Sequence, residues 1–422
     1  MKSKVSGSQL SRRRFLRAAA GGTVLLGSVP LLTRYASAAE EIRLGALCEL
    51  SGPASTIGSQ QAIGIRMAVD EINKTGVLGG GPGIDGRPIR LILEDTESKV
   101  AAGLTKAKKL VEVDKVHALT GIIFSSISMA IQQYVNREAK IPFINSGSGN
   151  PAISEPPGCG KYSFVAAPNS RLVALAAGYA AKKHGSRWAF IADDYAWGRL
   201  SVQLMKDAIN LDGKVDVVGE EYASFGTTNY APYITKATSA KPDVIGIATF
   251  GAGYAPVLLQ LHQMGVKAHR HHVFWSSADA NAAGEASLGM TTGETYVFPN
   301  SNVPRAMEFA KAYNAIHGTW PDPAASRGYD GVMVLAEAIK KAKGTNPDAI
   351  VKVLETTDFK SPISGNVRFR DCDHMVATPV YVLEAKHSPL YKYYGAYVET
   401  ISNPNALLVP CGKTGCEPLM KL

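Results

Sequence analysis

After position 38, this 422-residue sequence has almost no excess of basic over acidic residues and no long apolar run. The chain has 45 Lys and Arg residues against 36 Asp and Glu residues, a formal charge of +9. Seven of the basic residues and no acidic residue lie at positions 1–38, which leaves 38 basic against 36 acidic residues in the remainder. A protein that binds nucleic acid keeps a basic patch in its folded part, so this balance argues against that class. No run after position 38 approaches the roughly 20 apolar residues that cross a bilayer.

The short motifs of common enzymes are also missing after position 38. The sequence has no Gly-x-Ser-x-Gly elbow, no His-Glu-x-x-His pair and no Walker phosphate loop. Gly81, Gly83 and Gly86 do form a Gly-x-Gly-x-x-Gly pattern. That pattern lies between a predicted helix and a predicted strand, whereas dinucleotide binding requires a strand followed by a helix. We interpret it as a turn, and the sequence predicts no catalytic residue and no cofactor.

The five cysteines do not form a metal-binding pattern. Cys411 and Cys416 lie close together in a tail that contains Gly and Pro, and an oxidising compartment favours a local disulfide between them. A zinc site is the weaker alternative, because these thiols have no second Cys or His pair beside them. The sequence does not pair the other three cysteines, which are Cys48, Cys159 and Cys372. The run at 269–272 (HRHH) lacks a carboxylate or thiol at metal spacing, so it predicts a solvated loop and no metal site.

An export signal is present at the N-terminus. Residues 11–17 (SRRRFLR) precede an apolar stretch at 18–32 and an Ala-Ser-Ala sequence at 36–38. A charged start, a short apolar stretch and a small-residue cleavage site are typical of a signal peptide. The arginine pair before Phe-Leu indicates the twin-arginine route, with an arginine-rich Sec signal as the alternative. We expect residues 1–38 to be removed and the mature chain to lie in the periplasm.

Short β-branched runs alternate with helical patterns from position 42 onward. Strands are predicted at 42–47, 87–94, 116–120, 141–144, 188–192, 215–221, 244–249 and 272–275. Helices are predicted at 61–74, 101–113, 126–137, 171–184, 199–211, 230–239, 256–264, 304–317 and 325–342. Strands separated by helices of this length indicate βαβ units and mostly parallel sheets. Because the alternation occurs in two series, the sequence predicts two α/β lobes followed by a strand-rich end.

The residues after several predicted strands resemble those of a known family. The segments 48–54 (CELSGPA) and 68–73 (AVDEIN) resemble the opening of the branched-chain amino acid binding proteins, which are periplasmic receptors of ABC importers. Further similar segments are 94–95, 144–153, 193–198, 329–338 and 364–369. The resemblance covers nearly all of residues 42–385.

This resemblance implies a type I periplasmic binding protein fold, with two Rossmann-like lobes joined by three crossing segments. The crossings are expected near 164–168, 295–300 and 369–381. Lobe one would comprise 42–165 plus 298–372, and lobe two 166–297 plus 378–422. The ligand would lie between the lobes, where the carboxyl ends of the strands face each other. The implied partners are a small-molecule ligand and an ABC permease in the inner membrane, with the binding protein itself a monomer.

The turn at 121–126 is the predicted ligand anchor of lobe one. Backbone N–H groups at a helix start are unpaired and carry partial positive charge, so Ser125 and Ser126 are predicted to hold a carboxylate. Ser125 also matches a ligand-binding serine of the family, although helix capping is the alternative role. Ser148 and Gly149 follow the next strand. The family commonly has a ligand-contacting threonine at Gly149, and Ser148 is predicted to replace it.

Apolar side chains are predicted to enclose the ligand. Trp197 lies where the family usually has a tyrosine that covers the ligand, and an aromatic ring there offers a large apolar contact, with core packing as the alternative role. Phe250 is predicted to close the cleft, with Tyr254 as the alternative. Ile57 and Phe124 match pocket positions of the family and predict apolar walls.

An acidic anchor for a ligand amino group is harder to locate. The family places an acidic residue after the strand predicted at 272–275, and Asp279 is the candidate, displaced by about two residues. The alternative is that Asp279 is an exposed loop residue, in which case the ligand lacks an ammonium group. The sequence therefore predicts either a hydrophobic amino acid or a small aromatic or aliphatic carboxylate as ligand.

We expect the protein to capture this ligand by hinge closure, without bond chemistry, and to present it to a permease. One alternative is a sensory receptor of the same fold. A second alternative is an exported enzyme on a doubly wound fold.

Overall fold

The computed structural model describes residues 40–167, 169–211, 215–295, 304–361, 363–376, 380–388, 392–401 and 408–421. The predicted signal peptide lies outside these ranges, as do parts of the predicted crossing segments. Within the described ranges, no helix combines the length and the apolar character that a bilayer crossing requires.

The first lobe is built on a sheet of five parallel strands. The strands are β1 (Ile42–Cys48), β2 (Ile89–Asp95), β3 (Ala118–Gly121), β4 (Phe143–Asn145) and β5 (Ser163–Val165), in the order β2-β1-β3-β4-β5. Helices α1 (Ser55–Thr75), α2 (Val100–Glu112) and α3 (Ser125–Tyr134) connect them. The interior strand β1 is buried at nearly every position. A strand covered on both faces is apolar throughout rather than alternating, which explains the run that predicted it.

The second lobe is built on a sheet of seven strands. Its strands are β6 (Arg187–Asp193), β7 (Asp216–Ala223), β8 (Val244–Ala248), β9 (His269–His272), β10 (Thr291–Glu294), β13 (Val380–Ser388) and β14 (Lys392–Ile401), in the order β14-β13-β10-β9-β8-β6-β7. The five strands from β10 to β7 are parallel, and the β13–β14 hairpin adds to β10 antiparallel. The helices of this lobe are α4 (Ser170–Ala174), α5 (Ala176–His184), α6 (Ala196–Ile209), α7 (Ala231–Ser239), α8 (Tyr254–Gln263) and α9 (Ser277–Ala283).

Three later helices pack on the first lobe. They are α10 (Pro304–His317), α11 (Pro323–Lys341) and α12 (Pro347–Thr356), followed by the small hairpin of β11 (Phe359–Ser361) and β12 (Gly365–Val367). Helices α1 and α11 approach so closely that a Cβ atom at Gly64 would lie 1.8 Å from the carbonyl oxygen of Ala325. A Cβ atom at Gly328 would lie 2.4 Å from the carbonyl oxygen of Gln61. Glycine is therefore required at both contacts, because a side chain would force the helices apart.

The buried residues confirm the predicted fold class, a mixed α/β fold with mostly parallel sheets in two lobes. One hydrophobic core lies between the first sheet and its helices, including α10 to α12. Two further clusters surround the second sheet. Val165 and Met375 form a parallel bridge, so two of the segments predicted to cross between the lobes lie side by side. The exact lobe boundaries stay a prediction.

The predicted disulfide between Cys411 and Cys416 is wrong. Cys416 is bonded to Cys159, 257 residues away, and Cys411 is bonded to Cys372, 39 residues away. The reason is tertiary packing, because Leu408 shares a hydrophobic cluster with residues of the first lobe and its hinge region. In the folded protein the tail therefore lies against those residues, which places Cys416 beside Cys159 and Cys411 beside Cys372. Cys48 is a buried free thiol.

The predicted position and environment of the histidine run are also wrong. The strand β9 is His269–His272 rather than 272–275, and His271 and His272 are buried rather than solvated. The backbone register with β8 and β10 fixes this position. Burial lowers the pKa of His272 to about 3, and His271 donates to or accepts from the Thr291 hydroxyl at 3.0 Å. Neutral imidazole rings can occupy a sheet interior when their nitrogens find such partners.

Replacing Cys159 with Ser should lower the stability of the oxidised protein by roughly 2–5 kcal/mol, as is typical when a native disulfide is lost. Chemical denaturation under non-reducing conditions measures this change. Non-reducing peptide mapping of the wild type should yield the Cys159–Cys416 and Cys372–Cys411 peptide pairs. Recovery of a Cys411–Cys416 linkage would contradict the structure.

Candidate functional site

A cavity of about 590 Å³, including the part open to solvent, lies where the carboxyl ends of the two sheets face each other. The lining residues that follow strand ends come from both lobes. They include Ser125 after β3, Gly147 and Gly149 after β4, Tyr195 and Trp197 after β6, Phe250 after β8, Phe274 after β9 and Glu294 at the end of β10. The remaining described lining residues are Ile57, Ile123, Phe124, Ser170, Val173 and Arg327.

Ser125 begins helix α3 and is 8% exposed. The expectation that the backbone N–H groups of this turn are unpaired is wrong for Ile122, Ile123 and Phe124. The N–H of Ile122 donates to the backbone carbonyl of Leu47 at 2.9 Å. The Glu49 carboxylate accepts hydrogen bonds from the backbone N–H of Ile123 at 3.0 Å and of Phe124 at 3.1 Å. Burial raises the pKa of Glu49, and these two hydrogen bonds oppose that rise. The donors left for a ligand are the Ser125 hydroxyl and the first N–H groups of α3, which have no partner within the helix.

The structure separates the other predicted polar contacts of the first lobe. Gly149 lines the cavity. Ser126 is exposed and is not among the lining residues. Ser148 is buried, and its hydroxyl donates to the backbone carbonyl of Ile123 at 2.9 Å. Ser148 therefore ties the loop after β4 to the turn after β3 rather than facing the cavity.

Five aromatic rings, one from the first lobe and four from the second, line the cavity. Phe124 of the first lobe stacks on Tyr195 of the second, with ring centroids 5.7 Å apart. Trp197 packs against Phe250 at 5.9 Å and against Phe274 at 5.7 Å. The sequence predicted Phe124, Trp197 and Phe250, and it missed Tyr195 and Phe274. Tyr195 follows the end of β6 and Phe274 follows the end of β9. Their location directly after a predicted strand was the sequence signal that could have identified them.

The two lobes also touch beside the cavity. The backbone N–H of Ala252 donates to the carbonyl oxygen of Pro53 at 3.1 Å. Ile57 and Ile123 of the first lobe belong to a hydrophobic cluster whose other members lie mainly in the second lobe. The indole N–H of Trp197 donates to the Ser170 hydroxyl at 3.0 Å, which fixes the ring at the wall.

An ion pair that the sequence did not predict lies in the same wall. Arg327 of α11 donates from Nη2 to Oε2 of Glu294 at 2.6 Å, and the two side chains are 14% and 0% exposed. Burial raises the pKa of Glu294, while the adjacent Arg327 charge acts to lower it. The sequence signal for Arg327 was a single cation in the run of small residues at 324–328 (AASRG).

Asp279 does not occupy the predicted position. It lies in the first turn of α9, is 4% exposed and is not among the cavity-lining residues. The alternative expectation, an exposed loop residue, is also wrong. Burial raises the pKa of Asp279 to about 7, and the nearby Asp322 charge adds to the rise. Asp322 caps α11 and accepts a hydrogen bond from the Ser276 hydroxyl at 3.1 Å, which joins α11 to the start of α9.

Comparison with known families accounts for this arrangement. The family described as periplasmic binding protein matches residues 41–389. The chain belongs to the periplasmic binding protein family. This confirms the resemblance drawn from the strand-end motifs, and the protein is a periplasmic solute-binding protein of the kind that serves ABC transporters.

Individual relatives of this periplasmic binding protein differ in what they are named for. The Leu/Ile/Val-binding protein homolog 7 of Brucella suis biovar 1 is 25% identical over 364 residues, covering 80% of this chain and 86% of the relative. An ABC transporter substrate-binding protein from Sphaerobacter thermophilus is 27% identical, with a TM-score of 0.75 over 86% of this chain and 98% of the other. A solute-binding protein from Rhodopseudomonas palustris BisB5 in complex with 3,4-dihydroxybenzoic acid is 22% identical, with a TM-score of 0.75 over 86% and 97% of the two chains.

Replacing Asp279 with Asn should make the periplasmic binding protein less sensitive to rising pH. The carboxyl keeps its proton to about pH 7 when folded but loses it near 3.8 when unfolded. The folded state therefore binds more protons between these values, and the wild type loses stability there as pH rises, by up to about 1.4 kcal/mol per pH unit for one proton. Denaturant titrations of both proteins from pH 4 to 7.5 measure the difference. A stability difference that stays constant with pH would contradict this assignment.

Proposed function

We propose that this protein captures a small, largely apolar carboxylate by closing its two lobes over it, and then delivers the ligand to an ABC permease in the inner membrane. The ligand class is a hydrophobic amino acid or a related aromatic or aliphatic carboxylate. The observation that carries the proposal is a cavity walled by aromatic rings of both lobes, with Ser125 and a helix start at one side.

Capture rather than catalysis is supported by the chemistry of the wall. Ser125 and Ser170 line the cavity, and the carboxylate among the described lining residues, Glu294, is engaged by Arg327 and Thr295 rather than by a serine hydroxyl. Activation of a serine nucleophile needs a base within hydrogen-bond reach. We therefore propose binding without a covalent step.

Closure is supported by the contacts between the lobes. The Phe124–Tyr195 stack, the Pro53–Ala252 hydrogen bond and the Ser276–Asp322 hydrogen bond all join the two sides. The Glu294–Arg327 ion pair also joins the lobes. A ligand that touches both lobes would add to these contacts and favour the closed state. A ligand shifts a conformational equilibrium only through its different affinity for the two states.

Export and delivery follow the same proposal. A cleaved signal at residues 1–38 would place the mature protein in the periplasm, where a closed, loaded form docks on the permease as a monomer. The ligand could resemble either that of the Leu/Ile/Val-binding relatives or that of the structure solved with 3,4-dihydroxybenzoic acid.

Replacing Ser125 with Ala should weaken binding of a carboxylate ligand by about 10- to 100-fold, the usual effect of losing one hydrogen bond to a charged group. A thermal-shift screen of amino acids and carboxylic acids finds the ligand, since saturation at 100 times Kd stabilises by about 2.7 kcal/mol. Calorimetry then compares the variants. Ser126→Ala is the matched control, because Ser126 is exposed and lies outside the cavity. Equal losses in both variants, or none in Ser125→Ala, would remove Ser125 from the site.

The best compound from that screen should also compact the protein. Small-angle scattering with and without the ligand measures the radius of gyration, which should fall as the lobes close. A chain that binds no compound in the screen and never compacts would contradict the proposed function.

A further inference from the structure

Glu294 and Arg327 are the charged members of the described cavity wall. We infer that Arg327 binds the ligand carboxylate together with Ser125, and that the ligand carries no ammonium group. The physiological ligand would then be an aromatic or branched-chain carboxylic acid rather than an amino acid. This inference rests on the proposed function and specifies its ligand.

The Glu294 carboxylate already has donors on both of its oxygens. Oε1 accepts from the backbone N–H of Thr295 at 2.7 Å and from the Thr295 hydroxyl at 3.2 Å. Oε2 accepts from Nη2 of Arg327 at 2.6 Å. Its charge is also balanced by the guanidinium. An incoming ammonium group would have to compete with the arginine for the same oxygen.

Arg327, in contrast, has unused donor capacity. A guanidinium carries five N–H donors and cannot lose its proton in a protein. Nη2 is engaged by Glu294, while Nε is buried and has no hydrogen-bond partner among the described residues. A buried donor without an acceptor is costly. A ligand carboxylate can remove that cost, since arginine matches the planar geometry of a carboxylate.

The other buried acids near the cleft offer no better partner for an ammonium group. Asp279 is not among the lining residues. Asp193 is likewise outside the wall, and its oxygens accept from the Tyr230 hydroxyl and the Phe250 backbone N–H, both at 2.8 Å. Asp322 is engaged by Ser276 and by the backbone of α11. A zwitterionic amino acid would therefore bury its positive end without a free counter-charge, which is unfavourable.

The remaining wall suits an apolar body of planar or branched shape. Phe124, Tyr195, Trp197, Phe250 and Phe274 supply aromatic surface, and aromatic pairs gain beyond the area that they bury. The unused N–H donors of Arg327 and the aromatic rings together suit a carboxylate on an otherwise apolar molecule.

Matched ligand pairs test the inference by calorimetry. The pairs are leucine with 4-methylpentanoate, phenylalanine with 3-phenylpropanoate, and benzamide with benzoate. The carboxylic acid of each pair should bind at least about tenfold more tightly, because the amino acids bury an unpaired ammonium and the amide lacks the charge for Arg327. Tighter binding of leucine or phenylalanine than of its deaminated analogue would overturn the inference.

Substitution of Arg327 tests its role directly. Arg327→Gln should weaken binding of the preferred acid by about 10- to 100-fold, as expected when a charge-assisted bidentate contact is lost. Arg199→Gln is the control, since Arg199 is exposed and pairs with Asp194. Unchanged affinity in a folded Arg327→Gln variant would overturn the assignment.

Glu294→Gln gives an independent test, because the expected change in affinity differs between carboxylic acids and amino acids. Removing the negative charge should leave acid binding equal or up to about threefold tighter, because Arg327 is then less neutralised. If Glu294 instead anchors an ammonium group, the same variant should bind leucine or phenylalanine at least about tenfold more weakly, and that result would refute the inference. Amino acids that bind tightly and compact the protein would leave the proposed function intact, whereas failure of every compound to bind would count against both.

Discussion

The candidate site exists because all strands of a parallel sheet have their carboxyl ends at the same edge. In each sheet the polar ends of the strands and the starts of the following helices lie at the same edge. The two sheets of this protein bring those edges together, so turns far apart in sequence line one cavity. Ser125 after β3, Trp197 after β6 and Phe250 after β8 meet for this reason alone. The scaffold around them only has to hold the two edges at a distance that a small molecule can bridge.

Buried charge near the cavity is tolerated because each charged group has partners. Glu49 is held by two backbone N–H groups of the turn before α3, and Glu294 by Arg327 and Thr295. Without such partners, burial would favour the neutral form of each carboxyl. The same hydrogen bonds orient the turn before α3 and the end of β10, so they preorganise the polar side of the cavity. Arg327 is the exception, since its Nε remains buried without a partner among the described residues.

The C-terminal tail contributes in a different way. Its two disulfides connect it to Cys159 and Cys372, and the Thr414 hydroxyl donates to the backbone carbonyl of Cys372. These links lie close to the parallel bridge of Val165 and Met375 rather than at the cavity. The tail therefore reinforces the region beside the segments predicted to cross between the lobes, away from the cavity.

The sequence by itself determined the α/β class, the order of most helices and strands, and six of the nine predicted ligand contacts as cavity-lining positions. Those six are Ile57, Phe124, Ser125, Gly149, Trp197 and Phe250. Most of them were accessible because they match ligand positions of the family that the sequence resembles, and five of the six follow strand ends, which lie at the cleft. Only the tertiary structure decided the cysteine pairing, the register of β9, the burial of Asp279 and the meeting of Glu294 with Arg327. Each of these depends on which distant segments pack together, and local patterns in a sequence carry no information about the distance between segments that are far apart along the chain.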